Sequence, residues 1–163
     1  MMAQVKKGGG KVVRYRDSHP FGSIEYISAS EHIHQVCFME FLRMEYLGDY
    51  SVAFAVPNGG HRNRIEAANL KMEGVKPGVS DIFISSPSDR YHGLYIEMKK
   101  AEGSYGASPD QLDFAARVIS RGYAVAFCFG WKQAVGAYLL YIGKINKMVA
   151  ADVYGLDVSG FKY

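Results

Sequence analysis

The sequence contains few cysteines and no long apolar run, and each absence excludes a class of protein. Only two cysteines, Cys37 and Cys128, occur among the 163 residues. Both lie within apolar patterns, so reduced core cysteines are expected rather than a disulfide framework. The longest apolar run, Tyr123–Phe129, is the length of a strand and falls well short of the ~20 residues that span a bilayer. Lysines near the N-terminus are followed by no apolar segment, which argues against a secretory signal. We therefore expect an intracellular protein that has no membrane partner.

Acidic residues are absent from the first 16 positions, which have a charge of +5. Because the whole chain carries +3, residues 17–163 sum to −2. Residues 1–22 are expected to form a flexible basic arm that contains three consecutive glycines, and Val12–Arg16 could pair as a short strand. The arm is either a solvated terminus or a segment that contacts phosphate, and the sequence leaves both open. Residues 23–163 have the size and composition of a single domain.

Two serines mark helix starts through their spacing to a following Glu or Gln. Ser28–Glu31 has the form of a capping box, and the apolar positions after it predict a helix to about Tyr46. Ser108–Gln111 has the same form, with proline at the first helical position, and predicts a helix to Arg121. Another helix is expected over residues 63–73.

The strands are predicted from short apolar runs between turn residues. Tyr50–Val56 is typical of a buried strand. Ser80–Ser85 and Gly93–Lys99 are joined by a short polar loop and therefore predict a hairpin. Tyr123–Phe129 predicts a fully apolar strand, after which Trp131–Tyr141 is expected to be a helix and the remaining residues a tail. The order α, β, α, β, β, α, β, α indicates an α/β domain.

Two acids and a lysine lie within strands that otherwise have a core composition. Glu97 and Lys99 share one face of their strand, and the hairpin can bring Asp81 beside Glu97. Buried charges are costly unless they are paired or bind a metal. Two close carboxylates suit Mg²⁺ or Mn²⁺, and a neighbouring lysine can orient a water or stabilise charge on a phosphate. The alternative is an exposed strand edge with an ordinary Glu–Lys pair.

Three motifs together resemble the VRR-NUC branch of the PD-(D/E)XK nuclease superfamily. They are Gly78-Val79-Ser80-Asp81, Ile96-Glu97-Met98-Lys99 and Ser108-x-x-Gln111. Further similarity in the stretches 56–62, 67–74 and 122–123 extends the resemblance over roughly residues 28–137. One position departs from the pattern, because Ser80 stands where the family usually has proline before the aspartate. The side chain of residue 80 is not a ligand, so activity is still expected.

The resemblance implies a fold and a metal site. The fold would be restriction-endonuclease-like, with a central mixed β-sheet flanked by helices and an αβββαβ core followed by an extra helix. Mg²⁺ or Mn²⁺ would be bound by Asp81, by Glu97 and by the backbone carbonyl of Met98. Lys99 would activate or position the attacking water.

Two helical residues would complete the site by the same resemblance. Glu31 would reach the metal directly or through water, and Gln111 would support the site through Lys99 or phosphate. Each residue also has a purely structural interpretation as the third position of a capping box, and both roles can hold at once because a helix N-terminus binds phosphate well.

Scattered basic residues are weaker candidates for contacts with the DNA backbone. The interpretation that they are ordinary solvated surface residues is nearly as good. They are Lys11, Arg14, Arg16, Arg62, Arg64, Lys71 and Lys100.

The expected function is that of a metal-dependent, structure-selective DNA endonuclease. Stand-alone members of the resembled branch act as homodimers on branched DNA, which implies a homodimeric four-way (Holliday) junction resolvase in the cytoplasm of a bacterium or a phage-infected cell. The alternatives are a flap, single-strand or nicking nuclease of DNA repair or phage replication, and a non-catalytic DNA-binding protein. Ala134–Ile142 or the strand near Val12 could provide the dimer contact.

Overall fold

The computed structural model describes residues 14–57, 64–103 and 106–161, apart from the side chains of residues 64–67. The described helices are α1 (Tyr15–Ser18), α2 (Ile24–Ser28), α3 (Glu31–Glu45), α4 (Leu47–Tyr50), α5 (Arg64–Met72), α6 (Pro109–Ile119), α7 (Trp131–Tyr141) and α8 (Lys147–Tyr154). The described strands are β1 (Ala53–Ala55), β2 (Ile82–Ile84), β3 (Leu94–Lys99) and β4 (Ala124–Phe129). None of the described helices is long and apolar enough to cross a membrane.

The described strands form one mixed sheet in the order β1-β2-β3-β4. The first two pairs are antiparallel, and the predicted hairpin is present as β2 and β3, with Ile82 opposite Ile96. The pair β3–β4 is parallel, and α6 forms the crossover that parallel strands require. The sequence α3, β1, β2, β3, α6, β4 confirms the expected αβββαβ core, with α7 as the following helix.

Helices cover the two faces of the sheet unequally. Helices α3 and α7 both contact β3, whose side chains Leu94, Ile96 and Met98 are buried. On the other face α6 contacts β4 and reaches over β3, where the Phe114 ring meets the Tyr95 ring at 5.2 Å. The alternation of faces along β3 therefore puts its apolar residues under α3 and α7, and Glu97 and Lys99 on the α6 side.

The outer edge of β4 is occupied by other parts of the chain. The backbone N–H of Val125 donates to the Gly160 carbonyl at 3.4 Å, and the N–H of Phe129 donates to the Gln133 side chain at 3.0 Å. A Cβ on Gly160 would overlap the Val125 carbonyl, so the two backbones are in close contact. The edge strand β1, by contrast, is three residues long and largely exposed.

The start of the chain differs from the expected basic arm. Residues 1–13 lie outside the described residues, but Tyr15–Ser18 is a helix that contacts α3, and no strand forms between Arg14 and Ser18. The Arg16 guanidinium pairs with Glu45 at 3.1 Å, and the Trp131 indole N–H donates to the His19 carbonyl at 3.0 Å. These contacts attach residues 14–22 to the body, which composition alone did not indicate.

The predicted capping box at Ser28–Glu31 is wrong. Helix α2 ends at Ser28, and the cap of α3 is Ser30, whose hydroxyl accepts from the Ile33 N–H at 3.3 Å. Glu31 is therefore the first residue of α3 rather than the third. Ser28 and Ser30 are alternative caps, and because α2 ends at Ser28 the cap of α3 lies two residues later than predicted.

The strand predicted at Tyr50–Val56 is present only over Ala53–Ala55, and the prediction that it is buried is wrong. Tyr50 belongs to α4, and β1 is an edge strand in which Phe54 is 52% exposed. An edge strand is covered on fewer sides than a central strand, so the same apolar composition is compatible with either position.

The segment after α7 is not the simple tail that was predicted. Asn146 caps α8 by accepting from the Val149 N–H at 2.9 Å, and α8 contacts α7. Most of α7 is buried within the chain, including Ala134, Ala137 and Tyr138. These side chains of the segment Ala134–Ile142 are therefore not available for a dimer contact, whereas Leu139, Leu140 and Ile142 are only partly buried, and the suggested contact stays a prediction.

Substitution of Gly136 with valine is expected to lower the free energy of unfolding by about 1–3 kcal/mol. A Cβ at Gly136 would overlap Cβ and Cγ of Tyr154 on α8, which are close to the backbone and cannot turn away. Urea unfolding followed by circular dichroism measures the change. The control Ala151→Val adds two methyl groups at an exposed position of α8 and should shift stability by less than about 1 kcal/mol. Equal effects of the two substitutions would contradict close packing of α7 on α8.

Candidate active site

The β2–β3 hairpin brings Asp81 next to Glu97. Asp81 immediately precedes β2, and continuing the register from Ile82 opposite Ile96 places Asp81 opposite Glu97. The Asp81 carboxylate accepts a hydrogen bond from the Met98 backbone N–H at 2.8 Å. The predicted acid pair is therefore assembled by one hairpin, and this backbone contact fixes the Asp81 side chain.

Glu97, Lys99 and Gln111 form one hydrogen-bonded network. The Lys99 ammonium lies 3.0 Å from Oε1 of Glu97 and 3.4 Å from Oε1 of Gln111. The Gln111 amide also donates to Oε1 of Glu97. Glu97 is 4% exposed, and the Lys99 side chain is 13% exposed. The ion pair is thus nearly enclosed, unlike an ordinary Glu–Lys pair on a strand edge.

Gln111 combines the two roles that the sequence left open. Its side-chain Oε1 accepts from the Ser108 backbone N–H at 2.8 Å, while its backbone N–H donates to the Ser108 hydroxyl at 3.3 Å. The predicted capping box of α6 is confirmed. The same amide contacts Glu97 and Lys99, so the start of α6 is connected directly to the end of β3.

Burial controls the protonation of the acid pair. The pKa of Glu97 is raised from its ordinary value of 4.5 to about 7, chiefly by burial and then by the negative charge of Asp81, against the lowering effect of Lys99. Burial also raises the pKa of Asp81, although the Met98 N–H and Lys99 act in the opposite direction. Two carboxylates share a poorly hydrated site, so each disfavours the charge of the other.

Glu31 lies close enough to act on the pair by its charge. The Glu31 carboxylate raises the pKa of both Asp81 and Glu97. Glu31 itself is exposed and is the first residue of α3, whereas a capping-box glutamate would be the third. The structure thus places Glu31 on the same side as the pair, and its role as a ligand stays a prediction.

The donor set fits a divalent cation that retains further ligands. Oε2 of Glu97 is buried and has no hydrogen-bond partner, so it is free to bind a cation. Across the described residues no three His, Cys, Asp or Glu side chains form a ready ligand cluster. A cation at Asp81 and Glu97 would therefore take its other ligands from the Met98 carbonyl, water or substrate, as Mg²⁺ commonly does.

Among the described cations that the sequence suggested for DNA contacts, Arg16 is held away from this site. Lys11 and Arg62 lie outside the described residues, as does the side chain of Arg64. Arg16 is paired with Glu45 at the end of α3 opposite Glu31, about 20 Å away by the rise of a helix. Arg14, Lys71 and Lys100 are exposed, so their assignment as phosphate contacts stays a prediction.

Gly78 was part of a predicted motif, but its packing role was missed. Its φ is +76°, and a Cβ there would overlap the backbone of Asp110 and Gln111 at the start of α6. The loop that leads to Asp81 therefore packs directly on the helix start that carries Gln111. The Pro77-Gly78 turn indicated the backbone conformation but not the close approach.

A large cleft in the described part of the chain is remote from the acid pair. It measures about 1030 Å³ and is lined by the loop 87–91, the end of α7 and the start of α8. The acid pair lies at the other end of β3. This cleft is therefore separate from the candidate active site.

Comparison with known proteins supports the family that the motifs resemble. The fold is similar to a solved structure described as a VRR_NUC domain protein, with a TM-score of 0.62 and 26% sequence identity. The similarity covers 72% of this chain and 92% of that chain. No family model and no curated protein matches the sequence. The VRR-NUC resemblance and the PD-(D/E)XK-like α/β core are confirmed, and the chain carries a nuclease-type domain.

The metal-free chain is expected to become less stable as the pH rises from about 4.5 to about 7. Over this range Glu97 is protonated in the folded chain and ionised in the unfolded chain, so folding takes up a proton. Glu97→Gln mimics the protonated acid and should reduce this dependence to the part that Asp81 contributes. At pH 8 it should stabilise the chain by about 1–3 kcal/mol. Thermal unfolding in EDTA across pH 5–8 measures both effects.

Glu102→Gln serves as the control, since Glu102 is an exposed acid close to the same strand. Its pH dependence should match that of the wild type. A Glu97→Gln variant that remained less stable than the wild type at pH 8 would contradict a protonated, desolvated Glu97.

Proposed function

We propose that this chain is a metal-dependent DNA endonuclease that hydrolyses phosphodiester bonds. The observation that carries the proposal is the enclosed network of Glu97, Lys99 and Gln111 beside Asp81. Desolvated carboxylates with raised pKa values and a lysine on the same strand face are an arrangement that costs folding free energy and is common at active sites. The nuclease-type domain supplies the reaction class.

Asp81, Glu97 and the carbonyl of Met98 would hold Mg²⁺ or Mn²⁺. Such an ion supplies charge stabilisation at the phosphate and lowers the pKa of a bound water. The protein supplies the position of the ligands: the Met98 N–H restrains Asp81, and the Gln111 amide restrains Glu97 while leaving its Oε2 free. Glu31 would add a carboxylate at the rim, directly or through water.

Lys99 would act on the attacking water and on the phosphate. Its ammonium is restrained by Glu97 and Gln111, so it faces the same space as the acid pair. From there it can orient a water by hydrogen bonding and stabilise the negative charge that develops on a phosphate oxygen. Gln111 does not need to touch the substrate to matter, because it fixes both of its partners.

The substrate proposed from the family resemblance is branched DNA, including four-way junctions cut by a homodimer in the cytoplasm. Symmetric cutting of a junction needs two active sites, and a two-fold dimer provides them. The described residues include no separate DNA-reading module, which favours recognition of DNA shape over sequence. A nuclease of flaps, single strands or nicks is the second candidate, and a non-catalytic DNA-binding protein is the third.

Lys99→Ala is expected to reduce cleavage by about 100-fold or more with Mg²⁺ or Mn²⁺, because it removes the group that stabilises charge at the phosphate. DNA binding, measured by fluorescence anisotropy, should be largely kept. The control Lys144→Ala removes an exposed lysine in the remote cleft described above. This variant should cleave like the wild type. Wild-type protein that binds DNA but cuts nothing with either metal would instead support the non-catalytic alternative.

A panel of linear, nicked, flap, fork and four-way DNA should show preferential cutting of the branched members. Light scattering in the same buffer should give the mass of a dimer, because paired incisions need two chains. Equal cutting of linear and branched DNA by a monomer would contradict junction resolution while leaving the nuclease assignment in place.

A further inference from the structure

A row of aromatic side chains crosses the sheet beside the acid pair. Phe54, Phe83 and Tyr95 are opposite one another on β1, β2 and β3, so their side chains leave the same face. The rings of Phe83 and Tyr95 stack with centroids 4.4 Å apart, and the Phe54 ring meets Phe83 edge to face at 5.6 Å. The row therefore runs from the middle of the sheet to its open edge at β1.

The aromatic row is on the same face as the candidate catalytic groups. Asp81 and Phe83 are two residues apart, and so are Glu97 and Tyr95. Alternate residues of a strand are about 7 Å apart along its direction. The rings are thus adjacent to the acid pair, and a strand with its phosphate at Asp81 and Glu97 would have neighbouring nucleotides over the row.

Helix α6 covers only the inner end of the row. The Phe114 ring packs edge-on against Tyr95 at 5.2 Å. Phe54 remains 52% exposed, and Phe83 and Tyr95 are partly exposed. A large aromatic ring that is half open to water retains apolar area that a stacked partner would bury.

We propose that this row is a stacking platform for unpaired bases of the strand that is cut. The inference rests on the proposed nuclease function and names the substrate class of that same site: DNA with single-stranded nucleotides next to the scissile phosphate, which favours the second candidate, a nuclease of flaps or single strands, over cutting of a fully paired four-way junction. Aromatic side chains bind bases by stacking on their faces, which are available only when the base is unpaired. A duplex is bound through its phosphates and would call for cations at this position instead.

The experiment uses Lys99→Ala protein throughout, so that no DNA is cut, and an oligonucleotide that carries one 2-aminopurine. The single-stranded form is expected to lose fluorescence on binding as the base stacks on the row. Phe54→Leu keeps an apolar side chain but removes the ring, so it should abolish this quenching and weaken single-strand binding by about tenfold. Binding of the paired duplex should not change.

Two further variants serve as controls. Phe54→Trp keeps an aromatic face and should retain the quenching and the affinity. Tyr15→Leu removes an aromatic ring of similar exposure, 47%, on α1, and should have no effect. Phe54 is exposed, so none of these changes removes a core side chain.

Three outcomes would overturn the proposal. One is unchanged single-strand affinity and quenching in Phe54→Leu, and another is an equal loss for single-stranded and duplex DNA. The third is a Phe54→Leu variant that loses a dimer in sedimentation velocity while each chain binds DNA as before, since the row would then be an interface between two copies. In all three cases the effect of Lys99→Ala on cleavage would still decide the nuclease function separately. Wild-type protein that binds no DNA of any form would overturn both proposals.

Discussion

Folding removes the carboxylate near the end of β3 from water, and neighbouring parts of the chain offset the free-energy cost of burying it. Glu97 is nearly inaccessible, and its pKa is raised to about 7. An isolated buried charge of this kind would be costly. Lys99 offsets part of the cost by charge and Gln111 by hydrogen bonding, but both act on the same oxygen. The other oxygen is left without a partner, so it is the one that can accept a cation.

Folding of α6 and assembly of the site depend on the same side chain. The side-chain oxygen of Gln111 accepts from the Ser108 backbone N–H at the start of the helix, and its side-chain NH₂ group donates to Glu97. Gly78 packs against this helix start and leads, three residues later, to Asp81. A helix N-terminus, a turn and two strands therefore determine one another's positions. Local opening at any of them would disturb the charges at the others, because the network leaves little room for water to replace a lost contact.

The sequence predicted the parts of the site that are local and missed those that depend on packing. Asp81, Glu97 and Lys99 could be placed because strand periodicity and a short hairpin determine their faces, and Gln111 because a capping box has fixed spacing. Glu31 was put in the wrong helical position, since Ser28 and Ser30 are both acceptable caps and only the presence of α2 decides between them. The exposure of Phe54 could not be predicted, because an edge strand and a central strand share a composition. Helix α8 was missed for a similar reason: its apolar residues pack on Gly136, a contact that only the folded chain reveals.

The backbone of one edge strand of the sheet is occupied and that of the other is exposed. This difference limits how copies of the chain can associate. The backbone of β4 is occupied on its outer side by Gly160 and by the Gln133 side chain, whereas β1 presents a short, exposed edge. A sheet with two free edges can add strands in both directions and grow into a fibril. A sheet with one free edge can add a strand there once, and the resulting pair is closed. The occupied outer edge of β4 thus leaves β1 as the side on which a described strand of the sheet could be extended.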